Sequence, residues 1–334
     1  MMNYSESGVN IDLGNKVKSE LKTKITATRP EVLGKIGGFG GLFNFQAQDY
    51  KDPVLVSSTD GVGSKLKLAF EYGYHQTVAE DLVNHCVNDI MVTGAKPLFF
   101  LDYIGMNKLN EEVFDQLIEG FNKACAENDC ALIGGETAQL PDLYAENEYD
   151  LSGTIVGAVD KNNIIDGSNI VDGDIIIGFS SVGLHTNGYT LARKVLKNNM
   201  DEQTIKELMM PHISYFNIIN HITKYFAPKA FAHITGGGIA DNMKRTLKNN
   251  RAVINKSKIV VPDIFRKIQE IGQISEEEMF KVFNMGIGLT VVVDKLFAEE
   301  IVEEINYSHV RHSKGSKAYI IGQIQNTDSQ VTLV

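Results

Sequence analysis

The stretch Val54-Leu55-Val56-Ser57-Ser58-Thr59-Asp60-Gly61-Val62-Gly63-Ser64-Lys65 decides how this 334-residue chain is read. Pro53 opens a strand over Val54–Ser58, rich in β-branched residues, and the strand runs into a turn carrying two glycines, an acid and a lysine. Glycines at such a place let backbone N–H groups approach a phosphate, and a carboxylate at the strand end can hold Mg²⁺. The same residues also suit an ordinary strand-to-helix turn with Asp60 as a cap. They do not match the G-x-x-x-x-G-K-[ST] phosphate loop, so the segment alone leaves both readings open.

Working outward, the spacing predicts a helix from about Val78 to Thr93, a strand over Leu98–Ile104 and a helix over Glu111–Glu127. A short strand over Ala131–Gly134 then leads into a loop at Gly135-Glu136-Thr137, and Leu151–Val159 closes this half. Before Asp52 strand signals are sparse, and a glycine cluster stands at Gly37-Gly38-Phe39-Gly40-Gly41. The polar stretch Asp160–Asn163 and the turn Asp172-Gly173-Asp174 mark a boundary, placing one domain over 1–165 and another over 166–334. The second half reads as strands near 175–180, 230–234, 252–254, 288–293 and 318–324. Helices alternate with them near 189–197, 239–247, 263–271, 276–283 and 296–305. The fold class is α/β with two domains.

Composition narrows the function. Hydrophobic residues make up 43% and charged residues 22%, as in an ordinary globular protein. A net charge of -10 argues against general nucleic-acid binding but leaves room for a phosphorylated small substrate. No apolar run is long enough for a membrane span, and the N-terminus lacks a signal-peptide layout, so a cytoplasmic location is expected. Cys86, Cys125 and Cys130 show neither a disulfide framework nor zinc spacing and read as small core residues.

Four further segments carry chemistry. On the helix from Val78, the residues Leu82, Val83, Cys86, Val87 and Ile90 share an apolar face, with Asp81, Asn84 and Asn88 opposite. Asp89 lies at the seam, where an acid suits a metal shared with Asp60 as well as it suits a solvated edge. Glu136 follows a strand and two glycines, where a carboxylate reaches a metal or substrate amide, unless it is a plain loop tip. His185-Thr186-Asn187-Gly188-Tyr189 ends a strand and opens a helix. There Asn187 is placed to cap and His185 to donate to phosphate or move a proton. Thr235-Gly236-Gly237-Gly238 is another turn opening a helix, suited to a phosphate group or simply tight. Lysines 16, 18, 22 and 24 precede the first glycine cluster and read as solvated surface unless that arm folds over a nucleotide.

Taken in order, these segments resemble the phosphoribosylformylglycinamidine cyclo-ligase, or aminoimidazole ribonucleotide synthetase, family. The match runs through Gly8–Asp12, Arg29–Val32, Gly37–Gly41, Ser58–Lys65, Val87-Asn88-Asp89, Pro97–Tyr103, Gly134–Ala138, His185–Tyr189, Thr235–Gly238 and Phe283–Gly288, nearly the whole chain. The resemblance implies a homodimer whose N-terminal sheets join into a barrel, with a C-terminal α/β sandwich. The N-terminal domain would bind ATP and make the dimer. It implies ATP and formylglycinamidine ribonucleotide as substrates, and an iminophosphate on the way to the closed imidazole ring. On that pattern Asp60 and Asp89 hold Mg²⁺, and Glu136 is a third acid near metal or substrate. Lys22 would reach nucleotide, with Lys22, Asp60 and His185 as the catalytic set. Gly37, Gly38, Gly40, Gly41, Gly61, Gly63 and Lys65 would hold nucleotide or phosphate, and Asn187 with Gly236, Gly237 and Gly238 the substrate. Gln139-Leu140-Pro141-Asp142 stands where Glu-Met-Pro-Gly is usual, and Val182 where serine is common, which removes any role for an acid at 139.

Other readings compete. Thiamine-monophosphate kinase shares the architecture but lacks the Gly134–Ala138 and His185–Tyr189 wording, and selenophosphate synthetase commonly carries a Cys or selenocysteine in its N-terminal glycine loop, where this chain has none. A catalytically silent nucleotide-binding protein would be expected to have lost Asp60 or Asp89, and both are present.

Overall fold

A computed structural model describes residues 8–34, 37–307, 315–328 and 330–334, apart from the side chains of Lys18 and Lys22. The chain divides into two units, Met1–Ile90 with Ala95–Asn162, and Met91–Gly94 with Asn163–Val334. The division after Asn162 falls three residues before the 165/166 boundary read from the sequence.

In the first unit α1 spans Ile11–Lys24, capped by the Asn10 side chain, which accepts from the Leu13 N–H. Two short strands, β1 (Val32–Leu33) and β2 (Leu42–Phe43), pair antiparallel. Then follow β3 (Pro53–Gly61), α2 (Leu66–Tyr72), α3 (His75–Met91), β4 (Lys96–Met106), α4 (Glu111–Glu127), β5 (Ala131–Gln139) and β6 (Tyr149–Asp160). The four long strands form one sheet in the order β3-β6-β4-β5, antiparallel except for the β4–β5 pair.

Strand alternation gives that sheet two unlike faces. On β6, Tyr149, Leu151, Gly153, Ile155 and Gly157 are buried, while Asp150, Ser152, Thr154 and Val156 keep exposure. On β4, Phe100 and Ile104 are fully buried, with Asp102 between them on the same face. The opposite face carries Leu55, 62% exposed, beside the partly exposed Phe99, Leu101 and Val156. An antiparallel sheet tolerates one wet face, but apolar residues there mark a surface suited to another body.

Two local expectations fail. The helix α3 is buried on every side from Ala79 to Asn88, so Asp81, Asn84 and Asn88 do not face solvent. Internal partners make this possible. Lys65 Nζ lies 2.6 Å from Asp81, and the Asn128 amide donates to Asn84 Oδ1. Second, β5 does not turn at Gly134-Gly135 but pairs with β4 as far as Gln139. Gly135 is a packing requirement, because a Cβ there would lie 2.3 Å from Asp102 Oδ1.

The second unit contains β7 (Ile175–Ser180), α5 (Tyr189–Leu196), α6 (Glu202–Leu208), α7 (Phe216–Tyr225), β8 (Ala230–His233), α8 (Gly238–Lys244) and β9 (Arg251–Ile254). It continues with α9 (Asp263–Gly272), α10 (Glu276–Val282), β10 (Ile287–Val293), α11 (Ala298–Tyr307), β11 (Ala318–Gln325) and β12 (Gln330–Leu333). Its sheet runs β12-β9-β11-β7-β10-β8, with only β12–β9 parallel. The strand β10, paired on both sides by β7 and β8, is buried along its whole length, as a largely apolar run inside a sheet should be. The elements α6, α7 and β12 were not expected from the sequence.

Candidate active site

The end of β3 faces α3, and three polar pairs join them. Ser58 Oγ lies 3.3 Å from Asp89 Oδ2, His85 Nε2 lies 2.9 Å from Asp60 Oδ2, and Lys65 Nζ lies 2.6 Å from Asp81 Oδ2. His85 Nε2 also lies 3.7 Å from Asp89 Oδ2, so the carboxylates of Asp60 and Asp89 converge on one point. Their side chains keep 41% and 26% exposure, whereas that of His85 is almost enclosed.

The charges reinforce one another. Burial, the largest influence on Asp60, pushes its pKa up, but the His85 contact and the Gly61 N–H outweigh it and hold the carboxyl below its usual range. Burial pushes His85 down, and the two facing aspartates more than reverse that, favouring imidazolium. Burial also lowers Lys65, against the opposing charge of Asp81.

Several expected residues sit elsewhere. Lys65 is fully buried and faces Asp81, so it does not present its ammonium to a phosphate. Glu136 is not in a loop but within β5, with Tyr103 as its Cα partner. It therefore lies in the row Gly61-Ser152-Tyr103-Glu136, on the face opposite the Asp60-Gly153-Asp102-Gly135 row. Three strand spacings, on the order of 14 Å, separate it from β3. The chain thus brings Asp60 and Asp89 together and leaves Glu136 out of that pair. Gly61 ends β3, Gly63 begins the short turn that holds Lys65, and Gly37, Gly38, Gly40 and Gly41 form an exposed loop ahead of β2. Lys22 lies on α1, and its side chain is outside the described part.

Asp102 was not singled out from the sequence. Burial drives its pKa from the usual 3.8 to about 7, its own backbone N–H opposes this, and the charge of Glu136 adds to it. The signal was present in the alternation Phe100-Leu101-Asp102-Tyr103-Ile104, which puts an acid on a core-facing position.

A second group belongs to the other unit. His185 sits in the left-handed region at φ 61°, is 2% exposed, and stacks on His212 with ring centres 4.1 Å apart. His212 Nε2 is 2.9 Å from His233 Nε2, so one of these rings donates to the other. Neither His212 nor His233 has a motif to announce it. Asn187 does not cap α5, since Gly188 holds that position at φ 82° without a side-chain bond. Instead Asn187 Oδ1 faces Gly236, 3.3 Å from where a Cβ would stand. The Gly236–Gly238 turn is held from inside. The Asn242 amide donates to the carbonyls of Thr235, Gly236 and Gly238 at 3.4, 3.2 and 2.8 Å, and its oxygen accepts from Thr235 Oγ1. Gly237 and Gly238 are both left-handed, and a Cβ on Gly238 would lie 1.9 Å from the Phe280 carbonyl.

With this geometry in place, comparison with known proteins gives a consistent answer. Residues 47–159 match the model of the AIR synthase related protein N-terminal domain, and 171–334 that of its C-terminal domain. The phosphoribosylformylglycinamidine cyclo-ligase of Syntrophotalea carbinolica is 46% identical, covering 100% of this chain and 98% of that one. The protein of the same name from Thermoanaerobacter sp. (strain X514) is 48% identical, covering 99% and 100%. Among solved structures, E. coli HypE superposes with a TM-score of 0.71 at 16% identity, covering 96% and 93%. Thiamine-monophosphate kinase from Stenotrophomonas maltophilia K279a gives 0.66 at 16%, covering 94% of each chain. At such identities these structures show a shared fold and no more.

Proposed function

The chain belongs to the phosphoribosylformylglycinamidine cyclo-ligases of the AIR synthase family, and from that premise we propose that Asp60 and Asp89 hold the cation at which its ATP is used. The enzyme acts in purine biosynthesis, joining ATP hydrolysis to closure of an imidazole ring. ATP and formylglycinamidine ribonucleotide become aminoimidazole ribonucleotide, ADP and phosphate.

The observation that carries the assignment is the convergence of two carboxylates, far apart in sequence, on His85 Nε2 at 2.9 and 3.7 Å. Two carboxylates converging on one partly exposed point supply the hard oxygen donors that fit Mg²⁺, which would take over the charge balance that His85 gives them. Mg²⁺ bound there supplies neutralising charge to the phosphoryl group in transfer. Asp60 and Asp89 would orient that charge, and the contacts with His85 Nε2 hold the two carboxylates close together. Gly63, with the exposed glycines 37, 38, 40 and 41, offers backbone amides to the nucleotide phosphates, while the Gly61 N–H is taken by Asp60 Oδ1. Lys22 is assigned to the nucleotide on family resemblance alone.

An amide oxygen is a poor leaving group. Transfer of the γ-phosphoryl group to the formyl oxygen, with departure of ADP and loss of the amide N–H proton, makes an iminophosphate. The internal nitrogen then attacks the formyl carbon and loses a proton, the carbon–oxygen bond breaks, and phosphate leaves. We assign His185, Asn187 and the Gly236–Gly238 turn to the ribonucleotide, with His185 placed to move that proton. Glu136 has no part in the cation pair.

The open, partly apolar sheet face is assigned to a second copy, the sheets of two chains closing on each other in a homodimer. The enzyme is expected to sediment at twice its chain mass of 36.9 kDa. Leu55→Glu with Leu101→Glu should shift it to the monomer, and an unchanged dimer would move the interface elsewhere. No described helix is long and apolar enough to cross a membrane, and we place the enzyme in the cytoplasm.

Reconstitution tests the whole reading. Purified enzyme with formylglycinamidine ribonucleotide, ATP and Mg²⁺ should release ADP and a diazotisable aminoimidazole in equal amounts. Phosphorylated substrate without a ring would point to a small-molecule kinase, and bound ATP without turnover to a silent protein.

A further inference from the structure

The pairs that β3 and the turn after it make with α3 fall in a fixed order. Ser58, Asp60 and Lys65 meet Asp89, His85 and Asp81 in turn. The three helix residues stand at four-residue spacing and so line one face of α3. The Ser58 and Asp60 contacts keep partial exposure, but the third pair is sealed, with both side chains 0% exposed. A wet ion pair exchanges partners with water at little cost. Separating a sealed pair strands a charge away from water, so the sealed pair is the one whose geometry is enforced.

We propose that Lys65 is a positioning residue, whose sealed pair with Asp81 sets the height and rotation of α3 against β3 and thereby the separation of Asp60 and Asp89. This rests on the reading of those two carboxylates as the cation site. The links between anchor and site are short and stiff. One tight turn joins Asp60 to Lys65, and two helical turns, about 12 Å, join Asp81 to Asp89. Lys65 acts through these elements and not on the substrate.

The test uses Mn²⁺ as a spectroscopic stand-in for Mg²⁺, titrated into the full-length protein without nucleotide and followed by electron paramagnetic resonance. Wild type, Asp60→Asn and the double variant Lys65→Met/Asp81→Asn are compared. The double variant removes both charges at similar volume, so no ion is stranded and the fold is kept. It is expected to melt within a few degrees of wild type. Its Mn²⁺ binding should weaken at least about tenfold and its kcat fall by a similar factor or more, with KM for the ribonucleotide little changed. Wild-type Mn²⁺ affinity in a folded double variant overturns the proposal. So does failure of the double variant to fold, because the pair would then serve stability instead of registration. If wild type and Asp60→Asn bind Mn²⁺ equally, the cation site itself is wrong, and that pattern differs from loss of the anchor alone.

Discussion

Asp60→Asn is expected to lower the rate of aminoimidazole formation about a thousandfold, a loss of about 4 kcal/mol of transition-state stabilisation. The substitution replaces a carboxylate, kept ionised by His85 and by the Gly61 N–H, with a neutral amide that binds a hard cation weakly. Two of its contacts are at stake in the fold. Asp60 accepts from His85 through one oxygen and from Gly61 through the other, and asparagine keeps a single acceptor. Losing one such bond at a partly exposed site costs about 1 kcal/mol, so the variant should fold and melt close to wild type. Steady-state kinetics beside a thermal melt separate the two effects. A rate near that of wild type removes Asp60 from the cation site.

Asp102→Asn is expected to change how stability depends on pH. The folded protein holds the Asp102 proton more tightly than the unfolded chain does, since its pKa is raised from 3.8 to about 7. That contribution to stability is fully present below about pH 4, falls as the pH climbs, and is gone above about pH 7. A sealed carboxyl with this shift would be worth about 4 kcal/mol in all. Asp102 keeps intermediate exposure, so about 1 kcal/mol is expected between pH 5 and pH 8. Urea unfolding at the two pH values should show wild type losing that much more than Asp102→Asn, which carries no titrating group there. Parallel slopes in the two proteins would show that the Asp102 carboxyl titrates like any exposed acid.

Much of the architecture was legible because it rests on local periodicity. The helix over Glu111–Glu127 and the strand over Ile175–Ser180 have the bounds that their spacing predicts. Asp60 and Asp89 were legible for a related reason. One acid ends a strand, the other interrupts an apolar stripe, and both are anomalies visible from the chain alone. His85 was not, because it stands beside Asn84 on a polar part of the helix and acquires meaning only when β3 is laid against it. Lys65 misled in the same way, since a lysine after two glycines looks like a phosphate ligand until Asp81 is found to enclose it. Glu136 misled through its glycines. Two adjacent glycines ordinarily signal a loop, but here one admits the Asp102 carboxyl and the strand continues. His212 and His233 gave no signal, as they reach His185 only through the packing of distant segments.

The way Asn242 gathers three carbonyls of the Thr235–Gly238 turn bears on the thermodynamics of ligand capture. Glycines are the residues with most freedom to surrender, and a run of three would ordinarily make an incoming ligand freeze a floppy loop. Here that freezing is done by folding, in a buried amide, before any ligand arrives. Whatever binds against this turn meets a surface already set, and its affinity is not diminished by ordering it.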